Sequence, residues 1–196
     1  MRFDLTVIQD WIKPRSRVLD LGCGDGALLE MLRDNKQVEG LGVEIEADDI
    51  TRCIARGINV IEQNLNQSLV NFETASFDVV VMTLALQALQ KPDQVLDEML
   101  RIGREGIVTF PNFGHWSCRW YIGTRGRMPV SESLPYQWYD TPNIHLCTVN
   151  DFEALCAERG YRINHCAVVG ADNRPTLASR IFPNLFGVTA VYHISR

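Results

Sequence analysis

Two hydrophobic periods alternate along this chain. Apolar runs of five or six residues with no helical spacing lie at 17–21, 40–45, 58–63, 77–82 and 106–111. Between them are amphipathic stretches. At 26–34 Leu28, Leu29 and Leu32 share a face, and after Pro92 so do Val95, Leu96, Met99 and Leu100. Continuous apolar runs predict strands buried on both sides, as in a parallel sheet. Stripes at three- and four-residue spacing predict helices packed on that sheet. The punctuation agrees. Residues 3–12 read as a short helix ended by Lys13-Pro14, and 47–56 as a helix stopped at Gly57, a usual residue just past a helix end. Pro92 sits in a first helical turn, where its missing N–H is no loss. Thr148, or Asn150 with Glu153 three residues on, caps a helix running to Gly160. Two further β-rich runs, 162–169 and 188–194, bring the strands to seven. The expected fold class is α/β: a mostly parallel seven-stranded sheet with helices on both faces, in a single domain over 1–196.

The first strand carries the candidate chemistry. Residues 18–26, Val-Leu-Asp-Leu-Gly-Cys-Gly-Asp-Gly, end an apolar run at Asp20 and then place Gly22, Cys23, Gly24 and Gly26 in the turn that follows. Without a Cβ, glycine lets the backbone bend sharply and lets a ligand press against it. Dinucleotide-binding folds space such glycines at positions one, three and six. Here the third falls at position five, and an acid stands two residues before the first. That spacing resembles motif I of the class I S-adenosylmethionine (SAM) methyltransferases. The resemblance implies their Rossmann-like fold, and an acid, here Asp20, that serves the methionine part of the cofactor. A merely structural turn is the plainer reading.

A second acid lies on the next strand, which ends at Glu44. A carboxylate there can accept both ribose hydroxyls of a nucleoside. Taken alone, Glu44 reads more readily as an exposed strand-end acid; its distance from the glycine loop is what favours ribose. Ile45 follows, placed to lie against an adenine ring. Ligands in open α/β sheets bind at the carboxyl ends of the strands. The remaining walls are therefore expected from Asn64 and Leu65 after the third strand, and from Thr83 and Leu84 after the fourth. Asp20, Gly22, Cys23, Gly24, Gly26, Glu44, Ile45, Asn64, Leu65 and Thr83 are the candidate binders of SAM or of S-adenosylhomocysteine (SAH), its demethylated form.

Composition narrows the partners. A net charge of −5 argues against a nucleic-acid surface, since cationic contacts to phosphate dominate such binding. No apolar run approaches the ~20 residues that span a bilayer, and Met1-Arg2-Phe3-Asp4 does not open a signal sequence. A cytoplasmic protein with no membrane partner is expected. The six cysteines form no Cys-x-x-Cys pair, so neither a zinc ribbon nor a disulfide framework is expected. His115 with Cys118, and His145 with Cys147, lack finger spacing, and no metal site is expected from them.

The segment 110–148 breaks the alternation. It holds Phe-Pro-Asn-Phe-Gly-His-Trp at 110–116, Gly-Arg-Met-Pro at 126–129 and Pro-Tyr-Gln-Trp-Tyr-Asp-Thr-Pro-Asn-Ile-His-Leu-Cys at 135–147, with three of the four tryptophans. That is far longer than a usual connection between strand and helix, and it predicts a lid or docking insertion at about 111–147. Aromatic residues and arginine dominate binding hot spots. An aromatic subcore covering the pocket is the other reading, and both can hold at once.

With residues 19–26 and Gly42-Val43-Glu44, the stretches at 110–116 and 135–145 resemble the methionine biosynthesis protein MetW family over essentially the whole chain. The resemblance implies a SAM-binding methyltransferase fold, a last strand inserted antiparallel between its neighbours, and a partner role toward homoserine O-acyltransferase (MetX). It also implies an acid near Asn64, where this chain departs. The rival reading is a methyltransferase acting on a small molecule, with His115 or His145 as base and Tyr136 and Tyr139 orienting. After the fourth strand stands Thr83-Leu84-Ala85-Leu86 and no Asn-Pro-Pro-Tyr, which argues against base- and amide-modifying enzymes. An NAD- or nucleotide-sugar-binding enzyme is a third reading, disfavoured by the glycine spacing.

Overall fold

A computed structural model describes residues 3–131, 134–170 and 176–196. Met1 and Arg2, which enter the reading of the amino terminus, and two residues of the 111–147 segment (132 and 133) lie outside the described residues. The elements run α1 (Phe3–Trp11), β1 (Arg17–Leu21), α2 (Ala27–Lys36), β2 (Glu39–Glu44), α3 (Ala47–Ala55), β3 (Asn59–Glu62), β4 (Phe77–Thr83), α4 (Pro92–Ile102), β5 (Gly103–Pro111), α5 (Trp116–Arg125), α6 (Val149–Arg159), β6 (Arg162–Val169), α7 (Leu177–Ile181), α8 (Pro183–Phe186) and β7 (Thr189–Ser195). A single 3-10 turn over Leu86–Ala88 follows β4.

The apolar runs form one sheet in the order β3-β2-β1-β4-β5-β7-β6. The pairs from β3 through β5 are parallel, while β7 lies antiparallel to both β5 and β6. This is the α/β architecture expected, with the inserted last strand that the family resemblance implies. The lack of helical period in the runs has a direct cause: the central strands bury both faces. Along β4, Val80 and Met82 enter one core with Leu19, Phe110 and Tyr192, while Val79 and Val81 enter the other with Val18, Ile107 and Val191.

Element ends differ from the apolar pattern by a few residues. The fifth strand opens at Gly103, three residues before its apolar run, because Phe77 and Val79 of β4 pair with Gly103 and Glu105. A strand's polar end can extend a ladder without entering the core, so hydrophobicity does not mark it. The second strand stops at Glu44, which leaves Ile45 outside the ladder and exposed.

The long segment after β5 is pinned at its base. Asn112, buried, donates to the carbonyls of Asn184 (3.1 Å) and Gly187 (2.7 Å) and accepts from the N–H groups of Gly114 (2.9 Å) and Val149 (3.2 Å). Phe113 N–H donates to the Cys147 carbonyl (2.9 Å), so the excursion leaves and returns at one point. A Cβ at Gly114 would crowd the side-chain oxygens of Asn184 and Asn112, so either side chain would have to shift to admit one. The excursion has secondary structure of its own. It contains α5, capped by His115 and closed by Gly126 with φ 61°.

Candidate functional site

The turn between β1 and α2 is built on left-handed backbone. Gly22, Gly24 and Gly26 have φ of 75°, 54° and 78°, a region that side chains with a Cβ rarely adopt. The N–H groups of Gly22 and Cys23 both donate to the Val43 carbonyl (2.8 and 3.1 Å), which ties the turn to β2. Gly24 N–H donates to Glu44 Oε2 at 2.8 Å. The two outer glycines are also packed tightly. A Cβ on Gly26 would stand 2.9 Å from Cys53 Sγ, and one on Gly22 3.1 Å from the Ala85 Cβ. A Cβ on Gly24 would meet nothing within 4 Å, so the loop is open over its middle glycine.

On β1, two residues before the turn, sits a carboxyl group with no partner. Asp20 has no exposed surface, and both of its oxygens lack a hydrogen-bond partner. Burial, with the Glu44 carboxylate nearby, pushes its pKa up to about 7. A buried carboxylate without donors is costly. A ligand ammonium or hydroxyl would relieve that cost. Glu44, by contrast, is well provided: besides Gly24, its Oε1 accepts from the N–H groups of Ile45 (2.8 Å) and Glu46 (3.1 Å). Those bonds hold its carboxylate at the loop and take both sites of Oε1, leaving the second site of Oε2 for a hydroxyl donor.

The other candidates divide by side chain. Cys23 lies in the turn, but its thiol points away, 3.8 Å from Cys53 Sγ and filling the space over Gly42. Burial pushes that thiol up, so only its backbone is available to a ligand. Leu65 reaches the loop, with Cδ1 3.8 Å from where a Gly22 Cβ would stand. Asn64 is half-buried beyond β3, and its Oδ1 accepts from Asn66 N–H (2.9 Å). Its amide oxygen is thus already turned into its own loop. Thr83 closes β4, paired with Thr109 of β5.

The two histidines are placed differently from one another. His115 caps α5: Nδ1 accepts from Ser117 N–H (3.3 Å) and lies 2.7 Å from Ser117 Oγ. Burial lowers its pKa. His145 lies on the returning limb of the insertion with Nε2 3.4 Å from the Gln90 carbonyl, and its N–H donates to the Gln87 carbonyl. Among the described residues the hydrogen bonds of these rings go to Ser117 and to Gln90, not to Asp20, Glu44 or the glycine turn. Sequence reasoning missed two residues here. Arg56 ties the turn to α2 through Asp25 (2.7 Å) and Glu30 (2.5 Å), and Gln87 receives the insertion. Arg56 had a signal, a basic residue one position before Gly57; Gln87 had none.

The insertion's aromatic residues are largely uncovered. Trp120, Trp138 and Tyr139 are 68%, 75% and 72% exposed, and Trp116, Tyr136, Ile144 and Leu146 are exposed too. They do not form the subcore that was the other reading of their composition. A narrow cleft of about 40 Å³ opens among Phe113, Met128, Leu134, Tyr136 and Trp138.

The strand order, the antiparallel β7 and the glycine turn after β1 define a class I methyltransferase fold. A SAM-dependent methyltransferase from Mesorhizobium loti matches 99% of this chain and 98% of its own at TM-score 0.72 and 16% identity. Another, from Archaeoglobus fulgidus, matches 98% of this chain and 91% of its own at TM-score 0.71, also at 16% identity. Likeness at that identity is one of fold.

The sequence is more particular. The model of the family described as methionine biosynthesis protein MetW matches residues 2–194, and the chain belongs to that family. A curated relative, the bifunctional methionine biosynthesis protein MetXA/MetW of Rhodopirellula baltica, is 33% identical over 205 residues and is matched by the whole of this chain. The chain spans about a third of that relative's length, 33%. No helix among the described residues is long and apolar enough to cross a membrane.

Proposed function

We propose that this chain is a SAM-responsive partner of homoserine O-acyltransferase, binding SAM or SAH at the glycine turn and the enzyme through the aromatic insertion. One observation supports the reading: the strand leading into the glycine turn carries a buried, unpartnered carboxyl at Asp20, while the insertion carries the exposed rings of Trp120, Trp138 and Tyr139. The residues fit the cofactor. Asp20 offers an unpartnered carboxyl for the ligand's ammonium, Glu44 offers the remaining site of Oε2 to a ribose hydroxyl, and Ile45 offers an exposed apolar surface for adenine. Gly24 leaves room for close approach. Bound SAM would supply an activated methyl group, and the fold alone does not commit the chain to transferring it.

The choice of partner is supported by the Rhodopirellula relative, named as a MetXA/MetW bifunctional protein. Two functions on one chain share an effective concentration that separate chains must replace with an interface. Exposed tryptophan and tyrosine are the residues that most often anchor such interfaces. The small-molecule methyltransferase reading needs a base, and His115 is already occupied in capping α5.

The deciding experiment is the homoserine acylation rate of the cognate acyltransferase, with and without this chain, across a SAM titration. A rate that rises with the chain and responds to SAM is the expected result. An unchanged rate at every SAM level would overturn the partner role.

A further inference from the structure

We infer that the turn from Leu84 to Gln87 couples occupancy of the glycine-turn site to the position of the aromatic insertion. This rests on the proposed reading of the turn as a SAM or SAH site, and it adds the means by which the two regions communicate.

The turn touches both regions. At its front Ala85 packs against Gly22: a Cβ on that glycine would lie 3.1 Å from the Ala85 Cβ, so the loop and the turn are near neighbours. At its rear the Gln87 carbonyl accepts two bonds from the returning limb of the insertion, from Ile144 N–H (2.8 Å) and His145 N–H (3.0 Å). With the base pinned at Phe113 and Cys147, these are the bonds that lay the return limb against the sheet end. A ligand pressing on the loop therefore acts through four residues on the amides of 144 and 145.

The turn is also strained and only partly satisfied. Leu84 is in left-handed backbone, φ 54°, where a leucine is strained. It is held there by its own N–H, which donates to the carbonyl (3.1 Å) and Oγ1 (3.0 Å) of buried Thr109, and by Gln87 Nε2, which donates to the Leu84 carbonyl at 2.6 Å. The same carboxamide keeps its oxygen buried with no partner. One half of the Gln87 side chain thus stabilises the strained turn while the other half is unsatisfied. Such a group exchanges partners for a small net change in free energy, which is what a two-state element requires. Coupling of this kind is reciprocal: whatever factor the ligand applies to the insertion, a partner seated on the insertion applies to the ligand.

The test is amide hydrogen exchange at Ile144 and His145, by NMR, in the free protein and with saturating SAH, in wild type and Gln87→Ala. SAH affinity is measured in parallel by calorimetry. The expected result is an exchange rate at both amides that changes by roughly tenfold on SAH binding in wild type, a typical coupling factor. In Gln87→Ala the change disappears while SAH still binds. Wild type that binds SAH with both amides unchanged overturns the coupling and leaves the cofactor site standing. A full response retained in Gln87→Ala overturns the role of the turn. No SAH binding at all overturns both, and the calorimetry identifies that case. The wild-type comparison decides the matter even where the variant does not fold.

Discussion

The glycine turn and the aromatic insertion are both connections out of the carboxyl end of the sheet, yet they solve opposite problems. In the turn almost every polar group has an internal partner: Glu44 holds Gly24, Ile45 and Glu46, the Val43 carbonyl holds Gly22 and Cys23, and Arg56 holds Asp25. The exception is Asp20, buried and unpartnered. In the insertion the backbone is secured at its base and on Gln87, while the large side chains are turned outward. A rigid site with one unmet charge fits a small ligand. A secured backbone carrying bare aromatic rings fits another protein. Each region is incomplete in the way its proposed occupant would repair.

The largest effect that sharpens this contrast concerns Asp20. Its pKa is raised from 3.8 to about 7. Between those values the folded chain holds a proton that the unfolded chain has released, so stability falls as pH rises across that window. The free protein should lose about 2–4 kcal/mol of unfolding free energy from pH 4 to pH 7 through this group. Asp20→Asn should abolish that loss, which denaturant titrations at a series of pH values would read. A wild-type profile as flat as the variant's would remove Asp20 as the strained point of the site.

The next effect is local to the turn. Gly26→Ala forces a Cβ into left-handed backbone, 2.9 Å from Cys53 Sγ, and should destabilise the fold by about 2–3 kcal/mol in the same titration. The smallest effect on folding is expected in the insertion. Trp138→Ser should change stability by less than about 0.5 kcal/mol, since the ring is mostly in solvent. Its association with the acyltransferase should weaken about 30-fold, the 2 kcal/mol of a hot spot, as measured by calorimetry. If Trp138→Ser unfolded the protein and left association intact, the contrast between the two regions would be broken.

Much of the frame was legible because its causes are local. Strands buried on both faces have to be continuously apolar, and Val79 to Met82 show this residue by residue. Glycine at 22, 24 and 26 answers to backbone geometry that few other residues adopt. Thr148 caps α6 through Asp151, a capping box in which the polar residues sit where the first-turn N–H groups need them. The site was legible in outline only. Placing an acid at position 20 says nothing of whether it will be paired, because that depends on which donors β2 and β4 bring near it.

The amino-acid order by itself determined the alternation of strand and helix, the glycine turn with its two acids, and an excursion too long and too aromatic to be a simple connection. Those follow from periodicity, backbone freedom and composition, which act over a few residues. Tertiary structure alone decided that Asp20 would be orphaned while Glu44 was satisfied, that the Asn64 oxygen would turn inward, and that Gln87 would receive the insertion. It also decided that Trp120 and Trp138 would face outward. These outcomes depend on groups far apart in the chain competing for the same few donors and the same buried space, and no local pattern records who wins that competition.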